Sequence, residues 1–104
     1  MLAAFSVSPL GGDDDSVGDV VAGVVRIVRE SGLPNETSAM FTTVEGSPGE
    51  VFELLQRCLT YAEAHAPRVS VVAKLDHRPG HDGALTGKVE RVEQALAEGT
   101  DPGV

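Results

Sequence analysis

The sequence predicts an α+β fold, in which a four-stranded antiparallel sheet carries two helices on one face and a third helix follows near the C-terminus. Segments that alternate apolar and polar residues, and segments with helical periodicity, follow one another in the order strand, helix, strand, strand, helix, strand, helix. The 104 residues give room for one compact domain and not for two. We therefore expect a single domain over residues 1–98, followed by a frayed tail over residues 99–104.

The first half of the chain predicts a strand, a helix and two short strands. Ala3, Phe5 and Val7 alternate with small or polar residues, and we expect the segment Pro9–Gly12 to break this strand. The valine-rich run that follows fits a wide helical stripe, and Gly23 falls outside that stripe. The predicted elements span residues 1–8, 13–31, 33–38 and 40–46.

The segment Ser47-Pro48-Gly49-Glu50 predicts the start of the next helix. Its Ser-x-x-Glu spacing is that of a capping box, and proline suits the first helical position. The helix is expected to continue to about Ala64, with Cys58 as a small buried side chain on its apolar face. Because the chain has one cysteine, an intrachain disulfide is excluded.

The remaining residues predict a strand after Pro67, a loop over residues 77–83 and a helix from about Leu85. Alternate residues of the strand are expected to face the helices: Val69, Val71, Ala73 and Leu75. The apolar residues of the last helix are expected to point inward: Val89, Val92 and Leu96.

The first six elements form two interlocked strand–helix–strand units, which is the ferredoxin-like βαββαβ sandwich. Right-handed crossovers then give the strand order 4-1-3-2, with both long helices on one face and an extra C-terminal helix. The other face mixes apolar residues, such as Ala4, Phe41 and Val72, with polar ones. This open face is either solvated or covered by a second sheet or a ligand, and its small residues favour association.

Charge and composition exclude several classes of partner. Eight basic and 16 acidic residues give a net charge of −8, which argues against nucleic acid and against an anionic membrane surface. The amino terminus has no basic region followed by a long apolar stretch, so we expect a cytoplasmic protein without a membrane span.

Motifs for catalysis or for a cofactor are weak. The Gly11-Gly12 pair is followed by acidic residues that would repel phosphate, and no nucleophile elbow is present. His77, His81 and Asp82 form a loose metal-ligand trio, but Pro79-Gly80 makes a helix unfavourable there and a solvated loop is the preferred interpretation. We therefore predict no enzyme activity, no cofactor and no metal.

The open face suits binding better than catalysis. Carboxylates complement a cationic ligand, and Ser and Thr hydroxyls both donate and accept hydrogen bonds, as a heteroaromatic ring with an amino group requires. Met40 and Phe41 offer apolar contact to such a ring, although Met40 is equally explained as a gap-filling hairpin residue.

Several segments together resemble the small thiamine-binding protein family: Phe5–Gly11, Met40–Gly46, Ala66–Val69 and Lys74–Arg78. The resemblance spans roughly residues 2–97, in the same order and spacing. It implies a ferredoxin-like fold that forms dimers and tetramers through its sheets, and binding of thiamine or its hydroxymethylpyrimidine moiety without catalysis. Family members often carry glycine where this chain has Phe41, so a large side chain here lies where a ligand ring is expected.

The resemblance and the residue patterns agree on candidate ligand-binding positions: Ser6, Ser8, Thr37, Met40, Thr43 and Glu45. We expect Glu45 to receive the amino group or a ring N–H, and the hydroxyls to complete the hydrogen bonds. The alternative is a structural or regulatory oligomeric protein that uses the same face for assembly and binds no small molecule.

Overall fold

The computed structural model describes residues 1–12, 14–81 and 83–99, so the expected tail at 99–104 lies outside the described residues except for Gly99. The elements follow in the predicted order: β1 (Leu2–Leu10), α1 (Asp14–Glu30), β2 (Asn35–Thr37), β3 (Thr42–Glu45), α2 (Pro48–Glu63), β4 (Arg68–Asp76) and α3 (Ala84–Ala97). The four strands pair antiparallel in the order β2-β3-β1-β4, which is the predicted 4-1-3-2 counted from the other edge. The ferredoxin-like prediction with an added C-terminal helix is confirmed.

The hydrophobic core lies between the two central strands, β1 and β3, and the helices α1 and α2. Residues that lie opposite each other in an antiparallel register share a face, and Phe5 lies opposite Thr42. Phe5 and Val44 are buried on the side that faces the helices, where they meet Val28 of α1 and Cys58 of α2. The alternation along β1 therefore assigns the faces as predicted.

The capping box at the start of α2 is formed as the sequence predicts. Ser47 Oγ accepts from the Glu50 backbone N–H at 3.2 Å, and the Ser47 N–H donates to Glu50 Oε1 at 2.9 Å. The bond from the Ser47 backbone stabilises the charged carboxylate, as does the contact with the Ser47 side chain. Together they hold the pKa of Glu50 below its ordinary value.

Two predictions about single residues in the first half are wrong. The first strand does not end at Pro9: β1 continues to Leu10, and Pro9 lies opposite Val69 of β4. Gly23 is not on a solvent-facing side of α1, because it is buried and a Cβ built there would overlap the Tyr61 ring of α2. Gly23 therefore marks a close approach between the two long helices.

The prediction that the apolar residues of α3 point inward is also wrong. Val89, Val92 and Leu96 are each more than half exposed, although α3 contacts β3. On β4, the side chains of Val71 and Leu75 do share the helix-facing side, but they are 41% and 40% exposed. The reason is that β4 lies at the sheet edge, where α2 covers only part of a nine-residue strand.

Candidate ligand-binding site

A cavity of about 230 Å³ lies between α1, the second half of β1 and the turn that joins β2 to β3. We refer to it as the hairpin cavity. Its described lining residues are Phe5, Ser6, Val7, Ser8, Val21, Val24, Val25 and residues 37–42. None of these described residues is charged, so the cavity combines an apolar wall with hydroxyl groups.

The turn between β2 and β3 is held by Ser38. The Ser38 N–H and its hydroxyl both donate to the Phe41 carbonyl oxygen at 2.9 Å, and the Phe41 N–H donates back to Ser38 Oγ at 3.4 Å. These bonds fix the rim of the hairpin cavity, with Met40 77% exposed and Phe41 half-buried. Phe41 lines the cavity, whose volume of about 230 Å³ is measured with the Phe41 side chain in place.

The structure brings four of the six candidate residues to this cavity: Ser6, Ser8, Thr37 and Met40. The other two lie farther along β3. Thr43 is opposite Ala4, and Glu45 is opposite Leu2. Leu2 precedes Ser6 by four residues, which is about 13 Å along a strand, so Glu45 is too far away to bond a ring held beside Ser6.

The three candidate hydroxyls at the cavity are available to a ligand. Within the described part of the chain, the side chains of Ser6, Ser8 and Thr37 make no hydrogen bond to another residue. Thr37 lies opposite Thr42 and shares its helix-facing side, whereas Ser6 and Ser8 alternate to the open face. The hydroxyls therefore approach the cavity from both faces of the sheet.

A second, more open cavity of about 530 Å³ lies at the other end of β3. Its lining includes Met1, Glu45 and three basic side chains of the loop after β4: His77, Arg78 and His81. No group of three metal-ligating side chains comes together among the described residues, and Asp82 lies outside them. The hairpin cavity is smaller but more enclosed, and enclosure is what removes a ligand from water.

Sequence reasoning missed part of the cavity wall. The valine-rich run predicts a helical stripe but not that Val21 and Val25 line a cavity. The core uses Val20 and Val24 of α1 and leaves Val21 45% exposed beside the cavity. The signal in the sequence was the width of the apolar stripe on α1, because the stripe includes more valines than the core buries. Ser38 was also missed, although a serine in a short turn commonly bonds the nearby backbone.

The chain is similar to a family of known proteins over most of its length. The model of a family described as thiamine-binding protein matches residues 3–93. The UPF0045 protein Mb1933 of Mycobacterium bovis is 50% identical over 97 residues, which cover 92% of this chain and 94% of that protein. The UPF0045 protein sll0230 of Synechocystis is 31% identical over 97 residues, which cover 92% of this chain and 79% of that protein. The resemblance that the sequence motifs indicated is thereby confirmed.

Solved structures share the fold. A domain of unknown function, DUF77, from Bacillus cereus superposes with a TM-score of 0.76 at 29% identity, covering 85% of each chain. A candidate thiamine biosynthesis/salvage protein from Thermotoga maritima superposes with a TM-score of 0.76 at 22% identity, covering 88% of this chain and 96% of the other. None of the helices in the described part of the chain has the length and apolar character of a membrane span.

Proposed function

The chain belongs to the thiamine-binding protein family, and from that premise we propose that it binds thiamine or its hydroxymethylpyrimidine moiety in the hairpin cavity, without catalysis. The proposal includes a cytoplasmic location and a homo-oligomer, dimer or tetramer, assembled through the sheets. The observation that carries it is the meeting of four candidate residues in one partly open cavity: Ser6, Ser8, Thr37 and Met40.

The chemistry of the cavity supports a single uncharged ring. Its volume of about 230 Å³ lies below the roughly 300–1,000 Å³ that is typical for drug-sized ligands. Thiamine has two rings, so the pyrimidine would enter and the cationic thiazolium would remain outside, where the net charge of −8 favours it. Met40 and Phe41 at the rim offer the thioether and the aromatic ring that suit contact with a heteroaromatic face.

The edge of the sheet supports assembly. Every residue of β4 except Val69 is exposed, and Val72 on the open face is 57% exposed. A long apolar edge strand invites pairing with another chain unless it is covered. We propose that a second copy of the chain covers this surface.

Calorimetric titration with thiamine, thiamine diphosphate and hydroxymethylpyrimidine tests the binding proposal. We expect saturable binding of thiamine and of the free pyrimidine near 1 μM, or about −8 kcal/mol, and weaker binding of the anionic diphosphate. Thr37→Val keeps the side-chain shape and removes the hydroxyl, so affinity should fall about two- to tenfold. Glu45→Gln, outside the cavity, is the matched control and should bind like the parent.

Either of two results would overturn the proposal. No heat with any of the three ligands from a well-folded oligomer would favour an assembly protein without a small ligand. Loss of binding in Glu45→Gln with unchanged binding in Thr37→Val would move the ligand away from the hairpin cavity.

Light scattering on eluted protein tests assembly. Val72→Lys places a charge on the open face and should lower the oligomer mass, whereas Gln56→Lys on the exposed side of α2 should not. A parent protein that elutes as a monomer would refute assembly through the sheet.

A further inference from the structure

The hairpin cavity exists because β1 is longer than its neighbour β3. The pairing of β1 with β3 ends at Phe5 opposite Thr42, whereas the pairing with β4 continues to Leu10. The second half of β1 therefore has a strand on one side and the cavity on the other. A strand edge in such a position presents backbone N–H and C=O groups to whatever occupies the space.

The hydrogen bonds at the start of β1 show which backbone groups of its second half point toward the hairpin cavity. The Met1 amino group donates to the Gly46 carbonyl at 2.7 Å, and the Gly46 N–H donates to the Met1 carbonyl at 3.0 Å. In an antiparallel pair, such reciprocally bonded residues alternate with unbonded ones. Counting from Met1 in steps of two, Val7 directs both its N–H and its C=O toward the β3 side.

Pro9 fits the same alternation. Its nitrogen carries no hydrogen, and by the count from Met1 that nitrogen also points toward the β3 side, so no bond to β4 is lost. Met40 is the residue that would continue the β3 pairing opposite Val7. It lies instead in the exposed turn closed by Ser38 and Phe41, so in the described chain the register leaves the β3 side of Val7 without a strand partner.

We propose, taking the binding function above as given, that the Val7 peptide groups recognise the N=C–NH₂ edge of the aminopyrimidine ring. The Val7 N–H donates to the ring nitrogen and the Val7 carbonyl accepts from the amino group, so the ligand edge takes the place of the missing strand residue. Val7 is thus a specificity-determining position that acts through its backbone. The apolar wall of Val21 and Val25 shields both bonds from water and strengthens them.

In this arrangement the Val7 carbonyl takes the role that the sequence predicts for Glu45, which is to accept a hydrogen bond from the amino group. A carboxylate about 13 Å along the strand cannot accept from an amino group bound beside Val7, whereas the Val7 carbonyl can. Recognition by backbone has a further consequence, because it tolerates any apolar side chain at position 7 that preserves the extended conformation and the packing of the core.

Amide NMR of the intact protein provides the test, with hydroxymethylpyrimidine and its analogue lacking the 4-amino group as probes. Saturation with the first should move the Val7 amide proton downfield more than any other amide in β1 and slow its exchange with solvent. The analogue should bind at least tenfold more weakly. Val7→Pro, which removes the N–H, should lose at least tenfold in affinity, whereas Val7→Ile should retain it.

The two proposals fail in different ways. Calorimetric binding of hydroxymethylpyrimidine with an unmoved, freely exchanging Val7 amide would overturn the backbone contact and leave the binding function standing. Absence of binding by both methods would overturn both. If Val7→Pro does not fold, the amide shift and exchange rate in the parent protein decide the question.

Discussion

Gly23 offers a sharp test of how the two long helices pack. It is buried on α1, and an added Cβ would overlap the outer end of the Tyr61 ring on α2. Tyr61 is itself half-buried, and its ring centre lies 4.6 Å from that of His65. Gly23→Ala therefore forces the tyrosine out of its place. Gly18, on the exposed side of α1, has open space around the same added atom and serves as the matched control.

Two opposing effects determine the size of the change in the free energy of unfolding. Replacing glycine by alanine inside a helix favours the folded state by about 1 kcal/mol. Overpacking a buried contact costs about 1–3 kcal/mol. Gly23→Ala should therefore destabilise the protein by about 1 kcal/mol and lower Tm by about 4–8 °C, whereas Gly18→Ala should stabilise it by about 1 kcal/mol.

Urea unfolding followed by circular dichroism measures these differences. Removing the ring with Tyr61→Ala should convert Gly23→Ala from destabilising to stabilising, a coupling of about 2 kcal/mol in a double-mutant cycle. The packing argument is refuted if Gly23→Ala stabilises the parent as much as Gly18→Ala does, or if the cycle shows no coupling.

Two further predictions concern titratable groups. Burial raises the pKa of the Cys58 thiol to about 11, so a thiol-specific reagent at pH 8 should react no faster than the chain unfolds, and rapid reaction of the native protein would contradict this. Because that pKa is raised on folding, the thiol contributes fully to stability below about pH 9. As the pH rises from about 9 toward 11, the free energy of unfolding should fall by at most about 1.4 kcal/mol per pH unit. Cys58→Ala should not show this fall. Ser47→Ala should cost about 1 kcal/mol. It should raise the lowered pKa of Glu50 only part of the way toward 4.5, because the larger cause, the bond from the backbone N–H at position 47, remains; NMR titration of the carboxyl measures this. Since the Glu50 pKa is lowered on folding, its stabilising contribution should disappear as the pH falls through that pKa. An unchanged titration in Ser47→Ala would show that the Ser47 hydroxyl takes no part in lowering it.

Local patterns in the sequence were sufficient for the elements and their faces. The alternation of Ala3, Phe5 and Val7 predicts which side of β1 meets the helices, because successive side chains of a strand point in opposite directions. The spacing of Ser47 and Glu50 predicts the start of α2, because both capping bonds are made within four residues. Neither inference needs information from elsewhere in the chain.

The candidate site was only partly predictable. Alternation places Ser6, Thr43 and Glu45 on one face, but it says nothing about distances along that face. The register puts Glu45 opposite Leu2 and so separates it from Ser6. A pairing register depends on the lengths of turns and on contacts between distant segments, which no single strand encodes.

Short-range patterns along the chain were enough to predict the order of elements, the faces of β1, the start of α2 and the family resemblance. Tertiary structure alone decided that Pro9 lies within a strand, that Gly23 lies between helices and that α3 leaves its apolar stripe exposed. The tertiary structure also shows that β1 extends beyond the end of β3 and that a cavity lies beside Val7 as a result. Propensity and periodicity act over a few residues, whereas an unpaired strand edge exists only when two strands of unequal length have been brought together.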